Sequence, residues 1–185
     1  MENTIFTTAR LVLRPTEESL AQMVCDYLKR NRDYLKPFEP VREEEYFSPA
    51  FQQRRLAAEA EAFQQGTSLL WWIFLKERPE RVIGSAHLSQ IAKGAFCSCF
   101  LGYQIDETQR GKGLMPEALA PVICHAFEQR GLHRIEANVM PRNQASRRVL
   151  EKLEFEYEGR SRDYLRINGR WEDHLHFAKL NDKAQ

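Results

Sequence analysis

Residues 101–119, LGYQIDETQRGKGLMPEAL, join a strand, a glycine-bracketed lysine and a helix start in one unbroken stretch. Leu101, Tyr103 and Ile105 alternate with Gly102 and Gln104, the period-two pattern of a strand. From Met115 to Arg130 the spacing changes. Leu119, Val122, Ile123, Ala126 and Phe127 recur every three or four residues, Pro116 sits in the first turn and Gly131 supplies a stop, so a helix is expected. Gly111 and Gly113 therefore fall where a strand hands over to a helix N-terminus. Unpaired backbone N–H groups and the positive end of the helix dipole converge at such a place and suit a phosphate. Glycine permits the positive φ and close backbone approach that this requires. Two phosphate-binding signatures fail on spacing. A dinucleotide GxGxxG needs glycine at Pro116, and a P-loop needs glycine at Asp106 and a hydroxyl at Gly113.

Upstream, the spacing predicts a strand over 9–14 and a helix capped by Thr16, with Leu20, Met23, Val24, Tyr27 and Leu28 as its apolar stripe. An ordered loop follows over 31–47, with Pro37, Pro40 and its own aromatics. Ser48-Pro49 opens a second helix that closes at Gly66. Strands are expected at 69–76, at 81–92 after a turn at 77–80, and at 95–105, where Cys97 and Cys99 join the Leu101, Tyr103, Ile105 face. Downstream come a strand at 134–140, a helix at 143–153, a strand at 155–165, an Asn168-Gly169 turn and a last strand over 170–179. This order is α/β, with an antiparallel start and a βαβ-like middle. One sheet flanked by helices is the economical architecture.

Two stretches, LGYQIDETQRGKGLMPEAL (101–119) and NVMPRNQASRRVLEKLEF (138–155), resemble the GNAT acetyltransferase superfamily. They carry its strand, xxGxG loop, helix, strand, then Asn-x-x-Ser on a second helix. The sequence departs from the family pattern at Thr108, where Gln or Arg usually opens the loop, and at Glu154, where glycine usually precedes Phe155. Further stretches, NRDYLKPFEPVREE (31–44) and EGRSRDYLRINGRWEDH (158–174), resemble the branch that acetylates the N-terminal alanine of a ribosomal protein.

The resemblance implies one GNAT-type domain over 1–185, built on a central mixed, mostly antiparallel twisted sheet flanked by helices. It implies acetyl-CoA as co-substrate, with direct attack of an amine on the thioester and no resident metal. Residues 109–115 would hold the pyrophosphate, with Arg110, Gly111, Lys112, Gly113, Leu114 and Met115 as its contacts. Tyr103, Gln104 and Ile105 would splay beside the pantetheine arm, and Asn143 and Ser146 would meet the cofactor from the next helix. The family's acidic tyrosine falls at Leu150, which leaves Ser146 as the hydroxyl for the departing thiolate, or else an ordinary first-turn serine. Glu39 is either a base or ammonium-binding carboxylate or a solvated loop residue. Tyr103 is either core or a site phenol. Asp163 and Tyr164 line a peptide groove or simply the strand surface, and Trp171 is expected in the core.

Free α-amines have a pKa of about 7.7–8.0 against about 10.4 for lysine, which favours an N-terminal amine as acceptor. Two rivals stay open, a GNAT enzyme acting on a small-molecule amine and a non-catalytic acyl-CoA-binding module. A basic ribosomal-protein substrate would suit Glu39, Glu43, Glu44 and Glu45, which a solvated loop explains equally well.

Length and composition bound these readings. At 185 residues, 43% hydrophobic and 29% charged, the chain suits one globular domain. Its 27 Lys and Arg nearly balance 26 Asp and Glu, which disfavours a nucleic-acid partner. The start, Met-Glu-Asn-Thr-Ile-Phe, is unlike a signal peptide, and the longest apolar run, 69–75, is too short to span a membrane. Four cysteines without a CxxC pair read as reduced thiols in a cytoplasmic protein, monomer or homodimer. His174 and His176 share a strand face, without a third ligand at useful spacing for a metal.

Overall fold

The structure, a computed structural model, describes residues 4–181. In chain order the elements are β1 (Phe6–Thr7), β2 (Leu11–Pro15), α1 (Ala21–Arg30), α2 (Arg32–Leu35), α3 (Pro49–Gln65), β3 (Leu69–Leu75), β4 (Arg78–Ala92), β5 (Ser98–Ile105), α4 (Leu114–Cys124), β6 (Arg134–Val139), α5 (Gln144–Lys152), β7 (Glu156–Ile167) and β8 (Arg170–Leu180). The strands form one eight-stranded sheet in the order β1-β2-β3-β4-β5-β6-β8-β7. Every neighbouring pair is antiparallel except β5 and β6, which run parallel across α4. A mixed, mostly antiparallel sheet flanked by helices is thus what forms.

The all-apolar run of β3 makes sense in the middle of this sheet. Leu69, Trp71 and Ile73 face the core beneath α4, while Leu70, Trp72 and Phe74 face a second core shared with α1 and α3. Leu20, Val24, Tyr27 and Leu28 enter that second core from the predicted stripe. Ser48 caps α3 by accepting from Phe51 N–H, and Gly66 ends it at φ +71°, both as expected.

Other local expectations shift. Thr16 does not cap a helix; it is buried and its hydroxyl accepts from Trp72 Nε1 at 3.4 Å. The turn before β4 is only Lys76-Glu77, because Leu75 already pairs with Arg78. Cys97 sits at φ +44°, outside β5, so only Cys99 of that pair is core. The 31–47 stretch coils into short helical turns rather than plain loop. The helix begun at Leu114 widens after Cys124 into a π turn, His125–Gln129, which seats His125 against Phe6 and Trp71. Trp171 is 62% exposed instead of core. It pairs with Arg166 in the part of the β7–β8 hairpin that runs past the end of β6.

One irregularity of the sheet positions everything that follows. β5 and β6 pair only at Ser98–Arg134, Cys99–Ile135 and Phe100–Glu136. Beyond those rungs residues 101–105 and 137–139 diverge, and each strand stays paired on its other side.

Candidate active site

Where β5 and β6 part, a cleft of about 810 Å³ opens, lined by both strand ends, by Gly111, Gly113 and Met115 at the start of α4, and by Asn143 and Ser146 of α5. The GKG loop enters α4 with Gly111 at φ +73° and Gly113 at φ +72° as its N-cap. Those two angles are what glycine permits and a branched residue resists. A Cβ on Gly111 would meet nothing within 4 Å, so open space lies before the loop. Backbone amides at a helix start, two left-handed glycines and open space form a cradle that fits a pyrophosphate.

The loop is held from outside by residues whose role the sequence did not announce. Arg10 Nη1 donates to the Lys112 carbonyl at 3.0 Å, and Arg10 Nε donates to Glu117 at 2.7 Å. Glu117 also accepts from Thr8 Oγ1 at 2.6 Å and from Arg10 N–H at 2.8 Å. The entry to the loop is anchored by Asp106, whose side chain is 1% exposed. It accepts from Thr108 Oγ1 at 2.7 Å and from Arg30 Nε at 2.8 Å, with Arg81 at 3.4 Å. Burial alone would raise this carboxyl, but those hydrogen bonds outweigh it and hold the pKa at about 2. Thr108, the departure from the family loop, therefore has a local task in closing this turn.

β5 delivers its side chains alternately to the two faces of the sheet. Tyr103 goes to the α5 side, where its hydroxyl lies 2.7 Å from Ser146 Oγ and 3.0 Å from the Ser146 carbonyl. Burial pushes that phenol's pKa up, partly opposed by the Ser146 contact, so it stays protonated. Asn143 Oδ1 accepts from Ser146 N–H at 3.1 Å and so caps α5. Leu150, one turn further on, is fully buried and far from a proton-transfer role.

Gln104 goes to the opposite face, where its Nε2 donates to Glu39 Oε1. Burial pushes the Glu39 carboxyl up from its ordinary value, against the pull of Arg42, Gln104 and Arg55. The loop carrying Glu39 is strapped across the cleft mouth. Asn168 N–H donates to the Glu39 carbonyl and Arg142 Nη2 to the Pro37 carbonyl, both at 2.8 Å. Arg142 also pairs with Glu172 at 2.8 Å.

Of the residues singled out in the sequence, Glu39, Tyr103, Gln104, Ile105, Arg110, Gly111, Gly113, Leu114, Met115, Asn143 and Ser146 all line this one cleft. Lys112 does not; its Nζ donates to Gln109 Oε1 at 2.9 Å. Arg110 lies over the Tyr34 ring at 5.1 Å. Asp163 and Tyr164 are outside the lining, although His174, against which Tyr164 packs, is within it. The acidic run is partly engaged, with Glu44 paired to Arg32 and Glu45 to Arg54.

A sequence model of the acetyltransferase (GNAT) domain matches residues 10–156. The chain belongs to the GNAT acetyltransferase family. The [ribosomal protein uS5]-alanine N-acetyltransferase of Escherichia coli (strain K12) is 42% identical over 169 residues, 91% of this chain and 87% of that protein. The crystal structure of the ribosomal-protein-S5-alanine acetyltransferase of Vibrio fischeri has TM-score 0.94 and 34% identity, covering 98% of this chain and 99% of its own. Mycobacterium smegmatis RimJ in complex with CoA-disulfide has TM-score 0.89 and 26% identity, covering 97% and 88%. In this GNAT member, the sequence left Gln104's side chain, Arg10, Glu117 and Arg142 without a part at the site. Strand alternation at 103–105 was the one signal that separates the Tyr103 and Gln104 faces.

Proposed function

We propose that this chain, as one domain over 1–185, transfers the acetyl group of acetyl-CoA to the N-terminal α-amine of a ribosomal protein whose first residue is alanine. The setting is the cytoplasm, with neither a metal nor a direct nucleic-acid contact. The observation that carries the reading is the pair of faces on β5, with Tyr103 and Ser146 on one side of the strand splay and Gln104 and Glu39 on the other, all within one cleft. The alanine and ribosomal-protein assignments are supported by the names of the Escherichia coli and Vibrio fischeri relatives, and CoA by the Mycobacterium smegmatis complex.

Acetyl-CoA supplies an activated acyl carbon and a thiolate leaving group. Gly111 and Gly113 with their neighbouring amides hold its pyrophosphate. Glu39 takes a proton from the arriving ammonium, directly or through one water, and its raised pKa brings it nearer the working pH. The amine nitrogen then bonds to the acyl carbon as the C–S bond breaks, and Ser146 Oγ donates the hydrogen bond or proton that the sulfur needs. An α-amine is easier to deprotonate than lysine by about 2.5 pKa units, which suits a site with so modest a base.

The test is a set of peptides matched except at the first residue, beside one α-blocked peptide bearing a free lysine. Alanine- and serine-initiated peptides are expected to turn over fastest. Faster acetylation of the blocked lysine peptide overturns the α-amine assignment.

A further inference from the structure

The strap that carries Glu39 fixes its backbone through Asn168 and, two residues earlier, through Arg142. Its carboxylate is held differently. Among the described residues no lysine or arginine forms an ion pair with it, and its side-chain partner is the Gln104 amide. A carboxylate only accepts hydrogen bonds, so the amide nitrogen, not the oxygen, must face it. Gln104 itself is rigidly placed, because its backbone pairs with Ser85 on β4. The neighbouring Gly84 approaches so closely that a Cβ there would sit 2.4 Å from the Gln104 carbonyl oxygen.

We propose that Gln104 is a positioning residue that orients the Glu39 carboxylate over the cleft and favours its ionised, proton-accepting form. This rests on the reading of Glu39 as the base. The choice of donor matters chemically. An arginine in its place would give a charge-assisted, often bidentate pair that pins the carboxylate and depresses its basicity. A neutral amide orients the group and leaves most of its basicity intact.

Arg42 and Arg55 pull on the carboxylate by charge alone, without an ion pair, and make their contacts with Tyr46. Arg42 of the same loop lies over the Tyr46 ring at 4.5 Å, and Arg55 of α3 donates to Tyr46 Oη at 3.0 Å. Tyr27 of α1 lies within electrostatic reach of Glu39, and Tyr34 of α2, Glu59 of α3, His87 of β4 and His174 of β8 line the same cleft. One residue of β5 thus gives its backbone to the splay and its side chain to the base.

The experiment compares Gln104→Leu and the isosteric Gln104→Glu with the unaltered enzyme and with Glu39→Gln. Its readouts are the pH profile of kcat with an alanine-initiated peptide and direct titration of Glu39 by carbon-13 NMR. Gln104→Leu is expected to move the acid limb of kcat and the Glu39 titration upward together by roughly 0.5 to 1 unit, the effect of one lost hydrogen bond. Gln104→Glu should move both further, since adjacent carboxylates resist joint ionisation. If Glu39→Gln removes the acid limb while neither Gln104 variant shifts the Glu39 titration, the positioning role is overturned and the base reading stands. If Glu39→Gln retains full activity with its acid limb, the base reading falls and this inference with it.

Discussion

The Tyr103 hydroxyl stands 2.7 Å from Ser146 Oγ and 3.0 Å from the same residue's carbonyl oxygen, so one phenol addresses both polar atoms of one serine. When the phenol proton goes to the carbonyl, the serine hydroxyl donates to the phenol oxygen. When it goes to Oγ, the serine proton is turned away from the phenol and toward the cleft. The second arrangement is the one in which Ser146 can donate into the cleft and Tyr103 orients it.

Ser146→Ala should therefore lower kcat by roughly 10- to 1000-fold, with a much smaller change in acetyl-CoA affinity. Tyr103→Phe keeps the donor but loses its orientation, so its loss should be smaller, on the order of tenfold. Steady-state rates with calorimetric Kd values separate the two effects. Unchanged turnover in Ser146→Ala would return that residue to its role in the first turn of α5.

The GKG loop offers a test of the cradle. Gly111→Val or Gly113→Val forces a branched side chain to φ above +70°, which costs about 1–3 kcal/mol where the loop can hold it. Both variants should bind acetyl-CoA at least roughly tenfold more weakly, a loss of about 1.4 kcal/mol, while circular dichroism still reports a folded sheet. Wild-type affinity in a folded Gly113→Val protein would remove the pyrophosphate assignment.

Asp106 ties stability to acid. Its folded pKa of about 2 lies below its ordinary 3.8, so the ionised form is favoured by folding. The contribution, about 2 kcal/mol, is complete above pH ~4 and disappears as pH falls toward ~2. Urea titrations between pH 2 and 7 should show this slope in the wild type and its absence in Asp106→Asn. The variant should also be less stable at pH 7, because Arg30 and Arg81 lose their shared anion.

Gly84 gives a prediction from contact alone. Gly84→Ala places a methyl against the Gln104 carbonyl, and either β4 or β5 must shift. A stability loss of about 1–3 kcal/mol is expected from denaturant midpoints. Because the displaced residue is Gln104, kcat should fall more than acetyl-CoA affinity does.

Much of this was legible in the chain. Residues 101–119 specify strand, turn and helix in sequence, and the two positive-φ glycines fall where phosphate chemistry needs them. The apolar run over 69–75 also finds β3, the 3.6-residue stripe finds α1, and Ser48-Pro49 with Gly66 brackets α3. What local pattern cannot encode is partnership across the sheet. Arg10 meets Lys112 and Glu117 from 102 and 107 residues away, and Glu39 meets Gln104 from 65. Trp171 misled for the same reason. A large aromatic in a strand reads as core, but this one lies on the part of the hairpin beyond the end of β6 and stays 62% exposed.

The parting of β5 from β6 has a further consequence, for the lifetime of the protein. Among the described residues only three strand pairs are in register between the halves β1–β5 and β6–β8–β7, with a few loop bonds such as Asn168 N–H to the Glu39 carbonyl beside them. A molecule that lays amides and carbonyls along the seam completes a ladder that the chain leaves unfinished, and its binding adds directly to the free energy of folding. At a hundred times its Kd the gain is about 2.7 kcal/mol. The ligand-free protein is therefore expected to be digested faster by a protease than the acetyl-CoA-bound one, a difference that limited proteolysis reads directly.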